Sequence, residues 1–180
     1  MSRPKDPEPV KLISSIFSED RELLNKTIAD LSDKFGNIDY ITEYIPFDLT
    51  QYYEREMGQA LKRRIVSFEN LIGPETLPDI KHVTNNIEQQ SSYEGKRMVN
   101  IDPGYLSKAH VILATGKAYT HRPYLRSGIY ADLTLIYRRS SFESLEWTYP
   151  DYAGKKIRKI MSDLRKKYLT QLKNLSSENH

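Results

Sequence analysis

The residues able to do chemistry crowd into one stretch, from Arg97 to Tyr152. Asp102, Lys117, His121, Arg122, Arg126 and Asp132 fall within it, interleaved with Trp147 and with seven of the chain's thirteen tyrosines, Tyr130 and Tyr149 among them. Turn-forming Pro and Gly stand beside them, as in sites whose polar groups are mounted on loops between strands. Asp102, His121 and Asp132 are the candidates for proton transfer: two carboxylates, and an imidazole that titrates near neutrality. Lys117, Arg122 and Arg126 would hold an anion, since guanidinium groups grip phosphate or carboxylate bidentately. Tyr130, Trp147 and Tyr149 would pack against the rest of a ligand, and Tyr119 and Tyr124 with them could stack a ring.

Each of these has a plainer use. Asp102-Pro103-Gly104 reads as a type II turn, in which Asp at the first position bonds the backbone two residues on. Arg122 and Arg126 can simply pair with Asp102, Asp132 or Asp151, and strand aromatics are most often core. A metal on Asp102, His121 and Asp132 is admissible by ligand type, but no local ligand spacing such as H-x-x-x-H or D-x-D supports it, so no metal is assigned. G-x-x-x-x-G-K, G-x-G-x-x-G and G-x-S-x-G are all absent, which leaves no cofactor to name.

The elements that must position these residues are legible from periodicity. Val10 to Phe17 has apolar residues on both alternating faces and predicts a central strand. Ser18 would cap a helix carried by Leu24, Ile28, Leu31 and Phe35 and ended by Gly36. Ile38 to Phe47 predicts a second strand, Asp48 to Gly58 a short helical excursion bearing Tyr52, Tyr53 and Glu56, and Leu61 to Leu71 a third strand. Glu75 to Gln90 predicts a helix on Leu77, Ile80, Val83 and Ile87, and Arg97 to Ile101 a fourth strand. The order β-α-β-β-α-β predicts an α+β, ferredoxin-like antiparallel sheet with both helices on one face.

His110 to Tyr119 and the cleanly alternating Ile129 to Arg138 extend that sheet, with a third added strand at Phe142 to Trp147. Pro150-Asp151 opens a C-terminal helix with an apolar stripe of Ile157, Ile160, Met161, Leu164, Tyr168 and Leu172. Residues 1–9 read as a disordered tail and 10–175 as one domain.

Three blocks carry a resemblance: N-I-D-P-G-Y-L at Asn100 to Leu106, H-R-P-Y-L-R-S-G-I-Y-A at His121 to Ala131, and W-T-Y-P-D-Y at Trp147 to Tyr152. They resemble a bacterial family catalogued as domain of unknown function 4416, over most of the chain from about Val10. The resemblance implies kinship without an activity, and no catalytic role comes with it.

The bulk properties narrow the classes. A chain of 180 residues without cysteine has no disulfide framework, thiolate metal site or cysteine nucleophile. Its net charge of +3 lies in the tail: Asp151 to His180 holds 8 basic and 3 acidic residues, leaving 19 and 21 of the totals of 27 and 24. No apolar run is long enough to span a bilayer and no signal peptide is visible, so the chain reads as cytoplasmic with no membrane partner. The expected function is binding of a small anionic or phosphorylated ligand, with or without action on it. Two other classes fit the same residues: an RNA- or nucleic-acid-binding module, and a structural or assembly protein without catalysis.

Overall fold

The computed structural model describes residues 1, 3–47, 57, 58 and 60–178. β1 (Val10–Ser18) is buried from end to end, as its two apolar faces require. α1 (Arg21–Phe35) starts too late for Ser18 to cap it. Asp20 does so instead, accepting from the N–H groups of Glu22 (2.8 Å) and Leu23 (3.1 Å), while the Ser18 hydroxyl donates to Met98 O at 2.7 Å.

The single strand expected over Ile38 to Phe47 is two short ones, β2 (Ile38–Ile41) and β3 (Ile45–Pro46). Thr42 separates them: its N–H donates to Ile65 O, and its hydroxyl accepts from Ile65 N–H where a backbone carbonyl would otherwise stand, both at 3.0 Å. The excursion expected over Asp48 to Gly58, with Tyr52, Tyr53 and Glu56, lies outside the described residues up to its last two positions.

β4 (Lys62–Ile72) and α2 (Leu77–Gln90) follow, then β5 (Asn100–Leu106), β6 (His110–Thr115), β7 (Tyr124–Arg126), β8 (Ile129–Arg138) and β9 (Ser141–Ser144). Among the described residues nine strands join one sheet in the order β2-β4-β1-β5-β6-β8-β7, with β3 beside β4 and β9 beside β8. Every pairing is antiparallel. The sheet is thus larger than the expected core with two or three additions. β7 went unread because it is only three residues long; a turn with Ser127 and Gly128 at positive φ (54° and 76°) folds it back onto β8.

Helices cover both sides. α1 and α2 pack Leu24, Ile28, Leu31, Ile80 and Ile87 on Leu12, Ile16, Val66, Phe68 and Ile101. The other face receives α3 (Pro150–Ala153) and α4 (Lys155–Glu178), through Tyr152, Ile157, Met161, Leu164, Tyr168 and Leu172. These form two helices, not the one expected, because Gly154 adopts an extended conformation (φ −62°, ψ 143°) between them. Among the described residues no helix is long and apolar enough to cross a membrane.

Two departures from the expected strands matter for the site. The alternation of β8 breaks after Leu133: Val111 pairs with Leu135 but Ile112 with Leu133, so Thr134 is an extra residue and Leu135 moves to the face that carries Asp132. The Asp102-Pro103-Gly104 turn does not exist either. These residues lie inside β5, opposite Ser15, Ser14 and Ile13 of β1. A partner strand along its whole length holds the segment extended, and this outweighs the local turn preference.

Candidate functional site

β5 pairs with β1 over seven residues, from Asn100 to Leu106, but with β6 only at Gly104, Tyr105 and Leu106. In an antiparallel sheet alternate residues turn their backbone groups toward the same neighbour, so Ile101, Pro103 and Tyr105 all point at β6. Tyr105 meets Ile112 there; Pro103 has no N–H to offer, and the ladder stops. Gly104 brings the strands very close at the last rung, where an added Cβ would lie 2.3 Å from Ile112 O. Beyond that rung β5 and β6 part.

The groups that Ile101 would have shared with β6 are taken by α2. Glu88 Oε1 accepts its N–H at 2.6 Å and Lys81 Nζ donates to its carbonyl at 2.9 Å. Both side chains are buried, at 7% and 8% exposure. They stand in for a missing strand, and the parted sheet holds a cavity of about 620 Å³ instead of collapsing. Its walls come from β1, β4, α2, β5, β6, the loop after β6, β8 and α3.

The cavity sets charges of both signs among apolar walls. Arg63, Lys81, Arg97, Lys117 and Arg122 face Glu88, Asp102, Asp132 and Asp151 across it. Arg63 is ion-paired to Asp151, and its guanidinium carbon lies 4.2 Å from the Phe47 ring centre and 5.4 Å from that of Tyr152. Arg63 Nε is nonetheless buried without a hydrogen-bond partner. Arg97 donates to Asn100 Oδ1 at 2.9 Å, and Asn100 Nδ2 to Asp102 Oδ2 at 2.9 Å, which orients that carboxylate. Burial pushes the Glu88 carboxyl above its ordinary value against the pull of Lys81, and burial likewise pushes the Tyr152 hydroxyl up.

Arg122 anchors the opposite wall. Its Nε donates to Asp132 Oδ2 at 2.8 Å and one terminal nitrogen to the Tyr149 hydroxyl at 3.1 Å. Burial disfavours its charge, but Tyr149 and Asp132 outweigh that and hold its pKa above the usual arginine range. His121 sits just behind, its ring stacked on Trp147 (centres 5.0 Å apart, 16° between planes) and edge-on to Tyr119 (centres 5.3 Å apart). Its Nε2 is 3.9 Å from Asp132 Oδ2 and, though buried, has no hydrogen-bond partner. The loop carrying Trp147 is stitched to the β8 bulge: Trp147 Nε1 donates to Leu133 O at 2.8 Å, and the Thr148 hydroxyl to Thr134 O at 2.7 Å.

Of the residues singled out from the sequence, Asp102, Lys117, Arg122, Asp132 and Tyr149 line this cavity; His121 adjoins it at Asp132, and Trp147 stacks on His121. Arg126 and Tyr130 do not line it. Arg126 reaches the other way, to Asp79 (2.5 and 2.8 Å) and Glu75 O (3.1 Å), because the tight β7–β8 turn aims it at the start of α2. Tyr130 packs against Tyr124. Among the described residues no group of three or more His, Asp or Glu could hold a metal ion.

Sequence reasoning missed Arg63, Lys81, Glu88, Arg97 and Asn100. A signal existed for two of them: Lys81, Asn85 and Glu88 recur at i, i+4 and i+7, a polar row beside the apolar stripe of α2. Arg63 had a weaker one, as a charge that shares its alternate face of β4 with Ile65 and Ser67.

The family model described as Domain of unknown function (DUF4416) matches residues 8–168. No curated protein and no solved structure matches the chain.

Proposed function

We propose, for a chain that belongs to the DUF4416 family and so brings no assigned activity with it, that the parted sheet binds a small phosphorylated ligand. One observation carries the reading: basic side chains from β4, α2, the approach to β5 and the loop after β6 converge on a single cavity of about 620 Å³. That volume suits a small molecule, within the roughly 300–1,000 Å³ usual for such sites. Lys81 lines the cavity and spends one of its three donors on Ile101 O, so it keeps bonding capacity there. Asp102, steadied by Asn100, can accept a proton, or a hydrogen bond from a hydroxyl, of the same ligand.

The strand order β2-β4-β1-β5, with α1 and α2 on one face, supports a ferredoxin-like core to which β6–β9 and the C-terminal helices are added. Helices on both sides of the sheet leave no open central face for a single strand of nucleic acid, which favours the small-ligand reading over the nucleic-acid one. The test is titration of pyrophosphate and ribose 5-phosphate against wild type and Arg122→Ala, followed by calorimetry. A bidentate guanidinium contact is worth about 1.5–3 kcal/mol, so the variant should bind roughly tenfold or more weakly. If wild type takes up neither of these nor any mononucleotide, the reading fails.

A further inference from the structure

We infer that the ligand is a nucleoside monophosphate, with its phosphate among the basic groups of the cavity and its base against the aromatic rim. This rests on the phosphate-binding reading of the same cavity. The rim is built from side chains that the fold does not bury: Tyr119 is 67% exposed, Tyr149 51% and Trp147 40%. Large aromatics left in water next to a charged cavity call for a partner, because burying such a ring is among the largest gains available to a side chain.

These rings are also held in place. Trp147 is fixed by its N–H to Leu133 O and by the stack on His121, and Tyr119 leans edge-on to that same imidazole. Arg122 joins rim to cavity, bonded to the Tyr149 hydroxyl at 3.1 Å and with its guanidinium carbon 5.9 Å from the Tyr119 ring centre. A ligand engaging Arg122 therefore lies beside two exposed tyrosine faces. Preset rings give up little conformational freedom on stacking, and every base has a π-face to offer them. Inorganic phosphate or a sugar phosphate would satisfy the basic groups and leave the rim wet.

The experiment is calorimetric titration of the full chain with the four common 5′-ribonucleoside monophosphates and with ribose 5-phosphate, in wild type and Tyr119→Ala. Fluorescence of Trp147, the only tryptophan, is recorded in parallel. At least one mononucleotide should bind wild type about tenfold or more tightly than ribose 5-phosphate and alter the Trp147 emission. Tyr119→Ala should erase most of that advantage and leave ribose 5-phosphate affinity unchanged. Equal affinities for nucleotide and sugar phosphate in wild type, or an equal loss of both in the variant, overturns the nucleotide assignment and leaves the phosphate reading standing. If no phosphorylated compound binds, both fall together.

Discussion

The N–H of Ile101 donates to Glu88 Oε1 at 2.6 Å, in the place where an unbroken sheet would offer it a carbonyl of the next strand. A helix side chain thus completes the ladder of β5, and the space left by β6 becomes a cavity. Removing that acceptor strands a buried donor. Glu88→Ala should cost about 1–3 kcal/mol in chemical denaturation, and Glu88→Gln, which keeps an acceptor oxygen, distinctly less. Equal losses in the two variants would show that the bond to Ile101 is not what Glu88 contributes.

The same carboxyl makes stability depend on pH. Burial raises its folded-state pKa above the ordinary 4.5. Between that value and the higher folded one, the native protein keeps a proton that the unfolded chain has released, so stability falls as pH rises through the window. Thermal melts of wild type and Glu88→Gln from below about pH 4.5 to neutrality should show wild type losing ground to the variant as pH climbs. A constant offset between them would contradict this.

Asp39 should act with the opposite sign. Burial works to raise its carboxyl pKa, but hydrogen bonds from Lys11 Nζ (2.5 Å), Ser67 Oγ (2.6 Å) and Lys167 outweigh burial and hold it below the ordinary 3.8. Its contribution is therefore complete above about pH 3.8 and lost as pH falls through the lower folded value. Asp39→Asn leaves the wholly buried Lys11 without its charge partner and should lose on the order of 3 kcal/mol at neutral pH. Its acid limb should also be flatter than that of wild type, and an unchanged limb would remove Asp39 from the account.

Gly104→Ala tests the close rung at the end of the split. The new Cβ would lie 2.3 Å from Ile112 O, a backbone atom on a paired strand, so the strands must shift. A loss of about 1–3 kcal/mol is expected in denaturant melts. A neutral substitution would mean the β5–β6 rung is slack.

Leu164→Ala should cost about 2–5 kcal/mol, since this side chain is 1% exposed in the cluster that joins α4 to the sheet. Ile160, only half-buried, should tolerate the same truncation better. If Leu164→Ala changes stability by less than about 0.5 kcal/mol, α4 is peripheral and not part of the core.

Periodicity in the sequence was enough to place most of the strands and helices and to bring Asp102, Lys117, Arg122, Asp132 and Tyr149 under suspicion as one group. Alternation and i, i+3, i+4 spacing are local properties written along the chain, and β1, α1, α2 and β8 follow from them. What only the tertiary structure decided is where local preference gives way to a partner. Asp102-Pro103-Gly104 has the composition of a turn, yet β1 lies beside it and holds it straight, so the same proline interrupts a ladder instead of reversing the chain. Arg126 and Arg122 are equivalent on paper, and a two-residue turn sends one out to Asp79 and leaves the other at Asp132. Lys81 and Glu88 look like the solvated side of a helix until β6 is seen to leave Ile101 unpaired. Whether a polar side chain becomes surface, scaffold or site depends on which backbone groups lack partners, and pairing between distant segments decides that.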